Sequence, residues 1–183
     1  MPRRALVAMA KCNECHDRLA LHGGQRLNVE ECVMCHNPNA SDAARRPADK
    51  APVESIAFKR MIHRIHTGEE LTQDYTVYGF FTPPAPPNPV NFNEVRFPGD
   101  RRDCQTCHLA NVYTPPLPDD ALPTQTLRDY YSPQQPVASA CLGCHDSRSA
   151  AAHAFVNTAP FGEACASCHG PNAEFAVDKV HAR

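Results

Sequence analysis

The spacing of apolar residues predicts a helix from Pro52 to Thr67. Four residues carry the helical period: Ile56, Met61, Ile62 and Ile65. Glu54 in the first turn and Arg64 in the last turn complement the helix dipole, and Gly68 is a typical stop signal. His63 and His66, three positions apart, would project from one side of this helix.

Proline interrupts the pattern in much of the remaining middle segment. Residues 82–89 should be extended polyproline, residues 92–97 a short strand or extended run, and Pro98-Gly99 a turn. Six further prolines fall within residues 115–136. We expect these stretches to be connectors that wrap interior groups or carry contacts between subunits, or else solvent-exposed linkers. The predicted fold class is mostly irregular, with short α-helices and little sheet.

Aliphatic and aromatic residues are too few for an ordinary core. Leu, Ile, Val and Phe together make up 33 of the 183 residues, Trp is absent, and 18 residues are Pro. This share is below the roughly 20% under which chains tend to stay disordered. Groups other than aliphatic side chains must therefore fill the interior.

Charge and hydropathy exclude two classes of partner. The formal net charge of −2 leaves no excess of Lys and Arg to neutralise phosphates, which argues against nucleic acid. The apolar run at residues 5–10 is far shorter than the roughly 18 residues that cross a bilayer, and too short for the core of a signal peptide. We expect no membrane span, and a chain that is a processed or partial form.

All ten cysteines fall into five copies of one pattern, Cys-x-x-Cys-His. Two thiols three positions apart can add across the two vinyl groups of one porphyrin, and the adjoining imidazole then lies beneath the ring, where it can bind iron. The pattern predicts five covalently attached haem c groups in a haem-packed core. The attachment residues are Cys12, Cys15, Cys32, Cys35, Cys104, Cys107, Cys141, Cys144, Cys165 and Cys168, followed by the iron ligands His16, His36, His108, His145 and His169.

Other cysteine chemistry fits this pattern less well. A thioredoxin-like redox pair needs one motif in a βαβ setting, and zinc ribbons use pairs of Cys-x-x-Cys knuckles with no need for a histidine directly after each one. A disulfide scaffold would not explain the histidines either.

Five histidines lie outside the motifs and match the five porphyrins one to one. A single histidine is more often a surface or core residue than a ligand, so it is the number that carries the prediction. Two imidazoles on every iron would leave no coordination position open. The candidate second ligands are His22, His63, His66, His153 and His181.

Sequence spacing restricts which iron three of these histidines could reach. His63 and His66 are too close to serve opposite faces of one ring, so their helix should reach two neighbouring haems. Six residues separate His22 from His16, with Gly23 and Gly24 following, and this short span hardly reaches from one face of a ring to the other. His22 should therefore serve a different haem. The remaining assignments of imidazole to iron are not readable from the sequence.

An internal repeat organises the chain. Residues 12–40 and 141–173 each contain CHD, then a histidine, then a second motif preceded by an acidic residue, and end in PNA. We interpret residues 1–183 as a single pentahaem domain in which these two-haem units flank a central segment, residues 41–140, with the predicted helix and the third motif. The repeat predicts equivalent roles for His22 and His153.

Three stretches resemble one known family: CNECHDRLALHGGQRLNVEECVMCHNP at 12–38, FKRMIHRIHTGE at 58–69 and VNFNEVRFPGDRRDCQTCH at 90–108. They closely resemble segments of the cell-surface decahaem c-type cytochromes of the OmcA/MtrC type. The similarity spans nearly the whole chain and covers one five-haem half of such a protein. It implies that His63 and His66 are distal ligands to two haems.

The resemblance also implies a cytochrome of the outer cell surface, exported through the periplasm, that delivers respiratory electrons. Its partners would be metal oxides, soluble electron shuttles, other cytochromes or copies of itself. A single five-haem unit could be a fragment, a diffusible carrier or a filament subunit. In a filament, His22 or His181 could ligate iron in the next copy.

The predicted function is electron transfer through five closely packed bis-histidine haems, without enzymatic turnover, because six-coordinate iron can pass electrons with little structural change. A multihaem reductase of a nitrogen or sulfur oxyanion is the alternative. It needs an open or displaceable position on one iron, which such enzymes often mark with Lys in place of the motif histidine, whereas all five motifs here end in His. A surface fibre with incidental conduction is a third hypothesis.

Overall fold

Short elements joined by irregular segments build the fold in the computed structural model, which describes residues 4–82 and 84–181. The helices are α1 (Met9–His16), α2 (Val29–Cys35), α3 (Phe58–Thr67), α4 (Pro136–Cys141), α5 (Arg148–Val156), α6 (Ala166–His169) and α7 (Val177–Val180), and the strands are β1 (Thr76–Gly79), β2 (Asn88–Asn91), β3 (Thr158–Ala159) and β4 (Gly162–Glu163). Short 3-10 turns occupy Ala48–Lys50, Gly68–Glu70 and Cys104–Thr106. The predicted fold class is confirmed. No helix in the described ranges combines the length and apolar character needed to cross a membrane.

Helix α3 begins six residues later than the apolar spacing predicts. Before Phe58 the backbone is extended and bonds sideways to residues 40–42: the N–H of Ile56 donates to the carbonyl of Ala40 at 2.9 Å, and Ser55 bridges Ser41. Because these groups have partners outside a helix, the first turn cannot form there. The predicted end is correct, since Gly68 caps α3 with a φ of 47°. A Cβ at position 68 would lie 1.9 Å from the carbonyl oxygen of Val95, so only glycine fits.

The proline-rich stretch forms a hairpin rather than one continuous polyproline segment. β1 pairs antiparallel with β2, with Thr76 opposite Asn91 and Gly79 opposite Asn88. Between the strands the N–H of Ala85 donates to the carbonyl of Thr82 and closes a turn, and Pro83 lies outside the described residues.

Residues 92–97 contain no strand, and the prediction of a short strand or extended run is wrong at the start of this segment, where the N–H of Val95 donates to the carbonyl of Phe92 at 3.1 Å and closes a turn. The side-chain oxygen of Asn93 accepts the N–H of Tyr75 at 2.8 Å, and its amide donates to the carbonyl of Gln73 at 2.9 Å. These bonds compete with sheet pairing and turn the chain directly after β2.

The interior is polar. The buried apolar residues are few and mostly small: Val33, Ala57, Tyr75, Ala138, Leu142, Ala151 and Ala176. The side chains of Arg60 and Arg64 are among the largest fully buried ones. Both lie on α3, and they are held by carboxylates from three other segments. This shortage of buried apolar surface agrees with the shortage seen in the composition.

Five buried charged residues form one set, which we call the arginine cluster: Arg60, Arg64, Glu54, Asp129 and Asp146. A separate buried ion pair joins Arg46 to Asp42 at 2.8 Å. The same oxygen of Asp129 lies 2.6 Å from Arg60 Nη2 and 3.1 Å from Arg64 Nη2. Glu54 lies 3.5 Å from Arg60 Nη2, and Asp146 lies 3.7 Å from Arg64 Nη1. Because these side chains are almost fully buried, each charge depends on its partners for compensation.

Part of the proline-rich segment 115–136 belongs to this core. The backbones of Thr124 and Gln134 exchange two hydrogen bonds, of 2.8 and 2.9 Å, and both residues are buried. The loop between them carries Asp129 into the arginine cluster. The hypothesis of a solvent-exposed linker is therefore wrong for residues 124–134, because buried backbone and an ion pair tie them down.

Candidate functional site

Each of the five motifs forms one helical turn. The N–H of the motif histidine donates to the carbonyl of the first cysteine: His36 to Cys32 at 2.9 Å, His108 to Cys104 at 2.8 Å, His145 to Cys141 at 2.9 Å and His169 to Cys165 at 2.9 Å. The first motif lies within α1. One turn brings the two cysteines and the histidine onto neighbouring positions, as attachment to one porphyrin requires.

The thiols are available for attachment. All ten cysteines are free, and each one is half-buried or exposed. In the described ranges no three or more His, Cys, Asp or Glu side chains gather as ligands of one metal ion would. The arrangement of these residues is therefore one of separate cysteine pairs with separate histidine pairs.

Every motif histidine faces one of the five other histidines across a uniform gap. The ring centres of His16 and His66 are 6.0 Å apart, those of His63 and His108 are 5.9 Å apart, and those of His22 and His36 are 6.0 Å apart. The remaining two pairs are His145 with His181 at 6.0 Å and His153 with His169 at 6.1 Å. The spacing varies by only 0.2 Å, although the angle between the rings ranges from 26° to 83°.

That spacing fits a metal between the rings. A metal–imidazole bond of about 2 Å on each side, plus about 1.1 Å from each coordinating nitrogen to its ring centre, places two ring centres about 6 Å apart. Direct contact between aromatic rings allows ring centres about 4.5–7 Å apart and favours offset-stacked or edge-to-face angles, so it predicts neither one constant spacing nor a wide spread of angles. A constant spacing at variable angles is typical of two imidazoles bound to one metal, because the two bonds fix the distance between the rings and leave each ring free to rotate about its own bond.

Four imidazoles are oriented by a hydrogen bond at the ring nitrogen Nδ1. Its acceptor is a backbone carbonyl in each case: Ile56 for His36 at 2.8 Å, Ile62 for His66 at 2.9 Å, Phe175 for His169 at 2.9 Å and Val177 for His181 at 3.1 Å. A carbonyl accepts only from a protonated nitrogen, so Nε2 of each ring is left with a free lone pair. This is the usual way in which a protein fixes the tautomer of a metal-ligating histidine.

The third pair, His63 with His108, is the most enclosed. Nδ1 of both rings is buried and has no hydrogen-bond partner among residues 4–82 and 84–181. Burial, together with the neighbouring His108, lowers the pKa of His63 to about 4. The imidazole is therefore neutral at physiological pH, as a metal ligand must be.

Helix α3 reaches two different motifs. His66 faces His16 of the first motif, and His63 faces His108 of the third. The two imidazoles of this helix therefore face histidines of two different motifs, and their binding to two haems stays a prediction. Phe97 packs edge-on against His66 with ring centres 5.7 Å apart, and Tyr113 lies 5.6 Å from His108. The sequence analysis did not single out these two aromatic residues.

The two repeat units place their internal histidines equivalently. His22 faces His36, and His153 faces His169, so in both units the internal histidine meets the second motif. His22 does not face His16, in line with the short span between them. His22 and His181 both pair within the chain, so neither is left over for another copy.

The arginine cluster is the main feature that the sequence analysis missed. Asp146 directly follows the motif histidine His145 and accepts hydrogen bonds from the N–H groups of Thr72 and Gln73 at 3.1 and 2.8 Å. Its other neighbour is Arg64 on α3. The cluster therefore ties the fourth motif to the helix that carries His63 and His66. The sequence held one signal for this cluster: Arg60 and Arg64 are four positions apart on the helix that also carries the two histidines.

The chain matches a family model and a solved structure. Residues 4–182 match the family model described as outer membrane cytochrome MtrC/MtrF-like, domains II/IV. A solved structure, the crystal structure of the outer membrane decaheme cytochrome OmcA, superposes with a TM-score of 0.59 at 25% identity, covering 99% of this chain and 24% of OmcA. The chain thus spans about a quarter of the length of OmcA. No protein with curated annotation matches the sequence significantly.

The fold and the five cysteine pairs define a multihaem c-type cytochrome of the extracellular electron-transfer class. More particularly, the chain belongs to the MtrC/MtrF-like family of outer-membrane, cell-surface cytochromes and corresponds to its domains II/IV. Membership of this family implies electron transfer, and its ten paired cysteines are consistent with five haem c sites.

Proposed function

We propose that this chain is a pentahaem electron-transfer domain in which every iron is closed on both faces by imidazole. The five histidine pairs, with ring centres 5.9–6.1 Å apart, are the observation that carries the proposal. Residues 1–183 act as one unit, with the repeat units 12–40 and 141–173 flanking the central segment. The proposed ligand pairs are His16 with His66, His36 with His22, His108 with His63, His145 with His181 and His169 with His153.

The chain's own residues hold and insulate the sites. The two thiols of each motif turn anchor one group covalently, and haem c supplies an iron that cycles between the ferrous and ferric states when bound. The carbonyls of Ile56, Ile62, Phe175 and Val177 hold four imidazoles in one tautomer. Because these acceptors are backbone atoms of ordered segments, the rings need not move when the charge at a site changes.

Paired imidazoles favour a carrier over a reductase. A reductase needs one open axial position for its substrate, and the pairing uses all ten histidines of the chain. None remains single. We therefore infer that the domain passes electrons by contact with partners at its surface and does not bind a small oxyanion at iron.

Partners and location follow from the family. We propose that the domain works at the outer cell surface after export through the periplasm, and exchanges electrons with metal oxides, soluble electron shuttles or other cytochromes. Copies of itself would also serve as partners. The net charge of −2 argues against nucleic acid.

Replacement of the α3 histidines tests the ligation. We expect His63→Ala and His66→Ala each to convert one of five haems from low spin to high spin in the electron paramagnetic resonance spectrum of the ferric protein. Met61→Ala, on the same helix, is the matched control and should leave all five low spin. An unaltered low-spin spectrum in either histidine variant would remove that residue from the ligand list.

The same measurement on the unchanged protein separates carrier from reductase. Five low-spin haems, with no high-spin signal, are expected for the carrier. A high-spin signal from even one haem would favour the reductase.

A further inference from the structure

One contact joins the fourth motif directly to a proposed ligand of the third site. Gly143, between the two cysteines of that motif, is buried. A Cβ built on it would lie 2.6 Å from the Cβ of His63 and 3.4 Å from its Cγ. Such a separation is too short for two carbon atoms, so glycine is the residue that lets the fourth motif and α3 approach this closely.

The backbone conformation at Gly143 does not itself demand glycine. Its φ is not positive, unlike that of Gly23, Gly24 and Gly68. Alanine would therefore be tolerated by the backbone dihedral angles, and its cost would come mainly from the 2.6 Å contact with His63, with a smaller contribution from the carbonyl oxygen of Ala140 at 3.1 Å. This separates position 143 from Gly68, where a positive φ and a backbone contact both exclude a side chain.

Other bonds hold α3 against the same surface. The hydroxyl of Thr67 donates to the carbonyl of His63 at 2.7 Å and lies 3.1 Å from Sγ of Cys144. At the other end of the helix, Nζ of Lys59 donates to the carbonyl of Pro136, the first residue of α4, at 3.2 Å. Helix α3 is thus held on both sides of His63, so it cannot easily move away from the fourth motif.

We propose that Gly143 is a positioning residue for His63. Gly143 has no side chain, so the backbone of the fourth motif packs directly against His63. This close approach sets the position of the His63 imidazole, whose ring centre lies 5.9 Å from that of His108. The backbone position of the fourth motif and the position of the proposed ligand His63 are in this way linked by direct packing. The inference rests on the proposed role of His63 as a ligand.

A methyl group at position 143 would have to move by about 1 Å to reach ordinary van der Waals distance from His63. An iron–imidazole bond is about 2 Å long and tolerates little displacement. The displacement should therefore appear at the third site, although the substitution lies in the fourth motif.

The test compares two glycine-to-alanine variants of the haem-loaded protein. Gly143→Ala should retain five haems by mass spectrometry and show a high-spin ferric signal, or a shifted low-spin signal, from one haem. Gly162→Ala is the matched control, because nothing lies within 4 Å of a Cβ built there. It should reproduce the parent spectrum. In the double variant with His63→Ala, the number of altered haems should stay at one.

Several outcomes would overturn the proposal. These are an unchanged spectrum and redox titration in Gly143→Ala, loss of the haem at the fourth motif, or two altered haems in the double variant. If His63→Ala alone leaves its spectrum unchanged, the proposed ligation fails instead. Should Gly143→Ala not accumulate, Thr67→Val tests the neighbouring link between α3 and the fourth motif, because the Thr67 hydroxyl contacts the carbonyl of His63 and Sγ of Cys144. It should shift one of the five reduction steps, and an unshifted titration would count against the proposal.

Discussion

Removal of one buried charge should destabilise the domain strongly. Asp129 accepts from Arg60 at 2.6 Å, from Arg64 at 3.1 Å and from the side-chain amide of Gln134 at 2.9 Å. Asp129→Asn keeps the shape but loses the negative charge and one acceptor. Both guanidinium groups then remain buried with reduced compensation.

The size of the effect follows from what remains around the arginines. Breaking a buried ion pair by removing one partner costs about 3–5 kcal/mol. Here Arg60 keeps Glu54 at 3.5 Å and Arg64 keeps Asp146 at 3.7 Å, so the lower part of that range applies. A loss of about 3 kcal/mol corresponds to a fall of about 6–12 °C in the unfolding midpoint of a domain of this size.

The assay is thermal unfolding of the haem-loaded protein, followed by circular dichroism at a fixed scan rate. Asp120→Asn makes the same change of charge at an exposed position of the same segment and should leave the midpoint within about 1 °C. Equal midpoints for the two variants would refute the reasoning, because the arginine cluster would then contribute no net compensation.

Two further predictions concern the chain as a whole and one lysine. Replacing all ten cysteines with alanine should abolish the cooperative thermal transition in circular dichroism, because the buried apolar residues are few and mostly small; a cooperative melt of that variant would contradict this. Burial lowers the pKa of Lys59 to about 8 from its ordinary value of 10.5, so the unfolded chain binds more protons than the folded one between these values, and stability should rise by roughly 1–3 kcal/mol from pH 8 to pH 10.5. The denaturant midpoint, measured from pH 8 to pH 10.5, should therefore rise less in Lys59→Met than in the exposed control Lys50→Met. Parallel profiles in the two variants would show that Lys59 does not cause the rise.

Covalent chemistry made the cofactor predictions possible. A motif of five residues must carry two thiols and an imidazole at fixed spacing to hold one porphyrin, and this local requirement is visible in the sequence at Cys12, Cys15 and His16 as at the other four motifs. The family assignment and the class of fold were likewise predictable, since a chain poor in aliphatic residues and rich in proline has little means of forming long helices or a large sheet.

Boundaries and local competition were harder to foresee. The predicted start of α3 was wrong because the backbone before Phe58 forms hydrogen bonds with residues 40–42, which are close in space but distant in sequence. The short strand or extended run expected at 92–97 was wrong at its start, because the side chain of Asn93 accepts the N–H of Tyr75 and a turn closes between Phe92 and Val95. Both outcomes depend on partners that no local pattern identifies.

The sequence by itself determined the inventory of this protein: ten thiols and ten imidazoles in matching number, and a shortage of apolar residues for an ordinary core. Tertiary structure alone decided which imidazole faces which, that buried arginines anchor α3, and that Gly143 lies against His63. The physical reason is the range of the interactions. Attachment chemistry acts over five neighbouring residues, whereas pairing, charge compensation and close packing join residues that the fold brings together from distant parts of the chain.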